Sequence, residues 1–218
     1  MMNYKVKKFA MITGYSLIMM ALVAGFVFGY AFPKIFNATT LVPSYHDLSG
    51  NLQLYKFMLA GIVFVLLLDV LVSWSLYKYF EWDNKKLAFQ AGVSRMIYSL
   101  LFGIALVYLF KNMQELHHDV FSKNYESFQK IWSIAFIFFG LHLLIVGLLM
   151  KRHKLIPTVL CYLTLIAGSS YVLIHFIKLV FPQLTELVAT LNNVLGLPIA
   201  LGELGLAFWL IIKARKAQ

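Results

Sequence analysis

Five ionisable side chains sit deep inside long apolar stretches of this chain: Asp69, Arg95, His142, His175 and Glu203. An ionised side chain at the centre of a membrane-spanning helix costs about 2.5–3.5 kcal/mol on insertion scales, so such groups turn toward the bundle interior and pair. Two carboxylates, one guanidinium and imidazole allow a short list of chemistries. Arg95 can take a bidentate bond from one acid, and adjacency in sequence favours Asp69. The other acid is then left to pair with His142 or to carry a proton itself. That set suits a proton-linked transport step, with Glu203 or Asp69 as the titrating group and His142 as relay. It also suits an intramembrane enzyme with His142 as general base, or a structural network of interhelical hydrogen bonds.

The elements that must position these groups follow from composition. Of 218 residues, 61% are hydrophobic and 13% charged, and the mean hydropathy is +0.79. A soluble domain is about 45–50% apolar and about 25% charged, so a soluble globule is excluded, as is a disordered chain. A spanning helix needs about 20 mostly apolar residues. Six stretches qualify, at about 9–32, 55–78, 87–110, 131–150, 156–181 and 194–212. They leave no room for a separate soluble domain. The expected fold is all-α: a polytopic membrane protein, a single domain over 1–218, built as a six-transmembrane-helix bundle. The first apolar run follows Lys5, Lys7 and Lys8 but is far longer than a signal h-region of 7–15 residues, so it reads as a retained helix.

The 1.5 Å rise per residue turns sequence position into depth. Asp69, Arg95, His142 and Glu203 each fall about 12–14 Å above one boundary. Four helices thus carry one ionisable group each at one level, which predicts a buried polar layer, open to the cytoplasmic half. His175 lies about 28 Å up and stands apart from it.

Orientation rests on the basic residues. Twelve lie on the side of the N-terminus, among them Lys85, Lys86, Lys151, Arg152, Lys154, Lys213 and Arg215, against six on the other side. Both termini are therefore expected to be cytoplasmic, in a multi-pass cell (inner) membrane protein. The net charge of +10 is explained by this topology and by anionic headgroups, not by nucleic acid. The loop from Pro33 to Leu54 is expected to be irregular. The loop from Lys111 to Lys130 holds Glu115, His118 and Asp119, which read as a solvated polar helix end and not as a metal site. After Pro182, Leu184, Leu187, Val188 and Leu191 form one short apolar face, expected as an interfacial helix over about 182–193.

Span six carries Pro198, which removes its own backbone donor, with Gly202 beside Glu203, so a kink at Pro198 and Gly202 is expected there. Tyr98, Ser169, Ser170, Tyr171 and His175 are the accessory polar groups within the spans. Gly25 and Gly29, extended by Ala21, form a helix-contact motif for intramonomer packing or for a homo-oligomer. The lone Cys161 excludes a disulfide or cysteine-metal framework. No nucleophile motif, H-E-x-x-H or phosphate loop appears. Arg95 repels a divalent cation from the layer, and a haem between His142 and His175 fails because they differ by roughly 16 Å in height. No cofactor or metal is expected; the expected partners are the bilayer and a small-molecule or lipid ligand.

The stretch Phe139-Gly140-Leu141-His142-Leu143-Leu144, then Gly147, Pro157, Ala167-Gly168 and Tyr171, resembles the second half of an uncharacterised bacterial membrane family labelled domain of unknown function 4386. The ending Pro198, Gly202-Glu203-Leu204, Trp209-Leu210 resembles its closing motif, and Asp69 with Arg95 is similar to its first half. Tyr98 stands where that family carries a further acid after the arginine. The resemblance implies a six-helix bacterial inner-membrane protein and no particular activity. Three functions stay open: transport, a regulatory or partner-binding membrane role, and enzymatic acid–base chemistry on a lipid or small molecule. A packing network should satisfy every polar atom and enclose no cavity; a transporter or an enzyme should not.

Overall fold

Hydrocarbon offers no hydrogen bonds, so an apolar chain inside it satisfies its backbone within its own helices. The computed structural model describes residues 4–36, 48, 50–113, 117–153 and 155–216. Among the described residues there is no strand. Helix α1 covers Tyr4–Phe26 and passes through a π-helical segment, Val27–Ala31, into the short α2, Phe32–Ile35. Then follow α3 (Leu52–Lys111), α4 (His118–Arg152), α5 (Thr158–Val180) and α6 (Thr185–Lys216). Five helices are long and apolar enough to cross a membrane, which marks a multi-pass membrane protein.

The stretches expected as spans two and three are one helix of 60 residues, broken at Asn84, whose backbone is extended at φ −163°, ψ 100°. Extended geometry is that of an N-cap, and the Asn84 Oδ1 accepts the backbone N–H of Leu87 at 3.0 Å. The cap ends one arm and starts the next. The arms then fold back on each other in constant register. The Tyr55 hydroxyl donates to the Leu109 carbonyl at 2.6 Å, Arg95 bonds Asp69, and Ser73 Oγ donates to the Gly92 carbonyl at 2.9 Å.

Around this hairpin the helices close a ring: α1 packs on α3, α3 on α4, α4 on α5, α5 on α6, and α6 on α1. Glycine sets how closely they approach at two points. A Cβ on Gly140 would lie 2.7 Å from the Gly168 carbonyl, and one on Gly168 would lie 2.8 Å from that of Gly140. The α4 and α5 backbones therefore touch, fixing His142 and Tyr171 one turn away. Gly202 is held similarly, its absent Cβ 3.0 Å from the Leu163 carbonyl, which seats Glu203 against α5.

Three expectations change. Residues 185–193 do not form a separate interfacial helix, because α6 starts at Thr185 and continues into the apolar stretch, through Pro198 and Gly202. Most of the stretch 111–130 is helical from His118 onward, since Phe121 and Phe128 on one face are buried. Pro33, expected in a loop, sits in α2, which continues directly from the π segment. The tripeptide Asn37-Ala38-Thr39, Glu115 and Lys154 lie outside the described residues, as does the side chain of His118. Gly25 and Gly29 are exposed, and a Cβ on either would meet nothing within 4 Å, so neither packs inside the monomer.

Candidate functional site

The hairpin register sets Asp69 opposite Arg95, with relative exposures of 0% and 1%. The guanidinium Nε donates to Asp69 Oδ1 at 2.9 Å, and Nη2 donates to the same oxygen. The pair is not the bidentate fork expected from residue types. Two donors converge on one carboxylate oxygen, and Asp69 Oδ2 is buried with no hydrogen-bond partner among the described residues.

The remaining amino group of Arg95, Nη1, lies 3.2 Å from His142 Nε2. A guanidinium only donates, so Nε2 must accept and carries no proton. His142 Nδ1 lies 2.9 Å from the Ala91 carbonyl, which only accepts, so Nδ1 carries the proton. His142 is thus a neutral ring with both nitrogens engaged, bridging Arg95 to the backbone of the second α3 arm. Of the two alternatives for the second acid, the structure does not show the one that pairs it with His142. The guanidinium also stands 5.2 Å from the Phe139 ring centre, a cation–π contact from the same face of α4.

Above this network, on the side away from the Asn84 turn, opens a cavity of about 360 Å³. Val65, Phe28, Phe102 and Phe136 in its lining place it beyond Asp69 along the α3 arms. All of the long helices line it. Leu17, Met20, Ala21, Ala24 and Phe28 form one stripe of α1 and its π segment, and Asp69, Tyr98 and Phe139 form the opposite wall. Tyr171 of α5 and Ile199, Ala200 and Glu203 of α6 complete it. A packed interior holds few voids larger than a water molecule, and ligand pockets run to about 300–1,000 Å³.

Glu203 lines the same cavity but joins a different partner. Its Oε1 accepts the Tyr171 hydroxyl at 3.3 Å; among the described residues no cation bonds it. The structure therefore brings Asp69, Arg95 and His142 into one bonded network and leaves Glu203 outside it, tied to Tyr171. Tyr98 is in the wall, stacked on Phe139 with ring centres 4.8 Å apart. His175 lies beyond, stacked on Phe136 at 4.7 Å, with a buried Nδ1 that has no partner. Ser170 bonds the Ile166 carbonyl of its own helix at 2.7 Å, and Ser169 is exposed; neither joins the site. Among the described residues no cluster of three metal-ligating side chains occurs.

Two groupings escape a reading by charge alone. The aromatic walls lie at helical spacing from the charged residues, Arg95 with Tyr98 and Phe102, and His142 with Phe139 and Phe136. Following each helix face outward from its charge would have found them. At the other end His153, read only as part of a basic turn, holds Asp83 through Nδ1 at 2.9 Å and faces the Tyr79 hydroxyl at 3.4 Å. That contact ties the hairpin turn to the end of α4.

Residues 12–214 match the family described as Domain of unknown function (DUF4386). The chain belongs to that family. One relative, described as an uncharacterized protein of Archaeoglobus fulgidus, is 27% identical over 166 residues, covering 76% of this chain and 89% of its own length. No solved structure matches the chain. The DUF4386 match spans α1 to α6, so every wall of the cavity falls inside it.

Proposed function

We propose that this DUF4386 protein is a six-span cell-membrane protein, with both termini cytoplasmic, that moves a small solute through its central cavity coupled to a proton on Glu203. The two arms of α3 each exceed the length a bilayer needs, which makes six crossings of five helices. The charge asymmetry of the sequence sets the orientation. Arg215 near the end of α6 bonds Tyr15 of α1, and the hairpin turn meets the end of α4.

The observation that carries the reading is the cavity with an unbalanced charge in its wall. Arg95 compensates Asp69, His142 is neutral, and Glu203 has a phenol for a partner. One carboxylate is left without a countercharge, and in a low-dielectric interior it holds a proton or a cation. A proton there can leave when solute enters. A network serving packing alone would leave neither the cavity nor the orphaned Asp69 Oδ2. An enzyme using His142 as base needs a free ring nitrogen, and both are taken.

The test is a proteoliposome assay with an internal pH dye and a panel of cationic, anionic and neutral solutes. Addition of the accepted class should dissipate an imposed pH gradient with the wild type and not with Glu203→Gln. Equal rates for wild type and Glu203→Gln, or no response to any class, would overturn the proposal.

A further inference from the structure

The polar inventory of the cavity wall is narrow: two acids, Asp69 and Glu203, and two phenols, Tyr98 and Tyr171. Among the described residues no lysine, arginine, histidine or amide lines it. A sugar needs a fan of paired donors and acceptors, and an anion needs cationic or amide donors; neither set is present. A bare alkali or alkaline-earth ion needs about six oxygen ligands, and most of this wall is apolar carbon. Four phenylalanines, Phe28, Phe102, Phe136 and Phe139, join the two tyrosines in the lining, and the remaining residues are aliphatic or methionine. Aromatic faces beside carboxylates are the surroundings that recognise substituted ammonium groups.

The cavity also has a side opening. Ala21 of α1 and Ala200 of α6 line it and are nevertheless exposed. Just beyond them Gly25 and Gly196 meet nothing within 4 Å. Nearer the termini the same two helices are in tight contact, where a Cβ on Gly14 would lie 2.9 Å from the Ala207 carbonyl. The gap therefore lies between α1 and α6 at the level of the apolar bilayer interior, and small side chains flank it.

We propose that the solute is a lipophilic organic cation, an aryl- or alkyl-substituted ammonium, which enters between α1 and α6 and displaces the proton from Glu203. The proposal rests on the transport reading above and names its substrate class. The charge balances at each stage. With the cavity empty, the carboxyl carries its proton; with the cation bound, the carboxylate is the counter-ion and one proton has left to water. The ionisable groups around Glu203 are Asp69, Arg95, Tyr98 and His142 from α3 and α4, and Tyr171 from α5; α1 contributes none to the wall. Asp69, the second acid among the lining residues, is engaged by Arg95, which leaves Glu203 as the counter-ion for the ligand.

The experiment uses the full chain purified in detergent, with benzyltrimethylammonium as probe and its uncharged isostere neopentylbenzene as control. Equilibrium dialysis measures binding, and an indicator dye in weakly buffered solution measures proton release. The cation should bind saturably, with release of about one proton per protein. Glu203→Gln should bind it roughly tenfold or more weakly and release none, with its melting curve retained. The proposal is overturned if the isostere binds as tightly as the cation, or if Glu203→Gln binds the cation as the wild type does. Ala24→Trp, which fills the cavity, separates this result from the reading beneath it. If the isostere binds as tightly as the cation and Ala24→Trp blocks both, the cavity is a solute site and only the cation assignment falls. If Ala24→Trp leaves binding of either probe intact, the cavity is not the site and both fall.

Discussion

Replacing Arg95 by methionine keeps much of the side-chain volume and removes the one cation of the network. Four donor contacts disappear: two to Asp69 Oδ1, one to His142 Nε2 and a longer one to Met20 Sδ at 3.8 Å. Asp69, fully buried, would then have no partner on either oxygen, since Oδ2 already lacks one. Breaking a buried ion pair from one side costs about 3–5 kcal/mol, because the other charge is left uncompensated. Much of that is the carboxylate itself, about 2.5–3.5 kcal/mol at a helix centre. The double variant Arg95→Met with Asp69→Asn deletes that charge and should recover about 2–3 kcal/mol of the loss. The assay is reversible unfolding in mixed micelles by a denaturing detergent, followed by tryptophan fluorescence. The reasoning fails if Arg95→Met costs less than about 1 kcal/mol, the size of an ordinary neutral hydrogen bond. It fails equally if the double variant is no more stable than the single one.

Gly168→Ala should destabilise by about 1–3 kcal/mol in the same assay, because the new methyl would lie 2.8 Å from the Gly140 carbonyl, whereas Gly25→Ala, with nothing within 4 Å, should be near neutral. Asn84→Ala removes the acceptor for the Leu87 N–H and should cost about 0.5–2 kcal/mol. Its cation binding should stay at the wild-type level, which equilibrium dialysis checks.

Much of the architecture is legible in the sequence because hydrocarbon imposes one rule, a long apolar helix per crossing. That rule says nothing about where polar residues continue a helix. The stretch from His118 is helical since Phe121 and Phe128 find a buried face, and no local count of apolar residues reveals that face. Thr185 begins a helix that runs on into the apolar stretch, where an amphipathic pattern after a proline reads equally well as a surface segment. Equal depth pointed to four charged residues at one level, and depth is all that a single helix fixes. Which residue meets which depends on rotation about each axis. The hairpin turned Asp69 toward Arg95 and brought His142 to the same guanidinium, while Gly202 seated Glu203 toward Tyr171 instead. The cavity was not legible at all, since a void is a property of facing surfaces.

The hairpin has one more consequence. A single residue, Asn84, departs from helical geometry between the arms, so the turn has no slack to absorb a change in length. Adding or removing one residue between Asp69 and Arg95, 26 positions apart, would swing one of them about 100° around its axis. The acid or the guanidinium would then point into the bilayer. Insertions and deletions in this segment should therefore be far less tolerable than substitutions, a form of selection on spacing that no single side chain records.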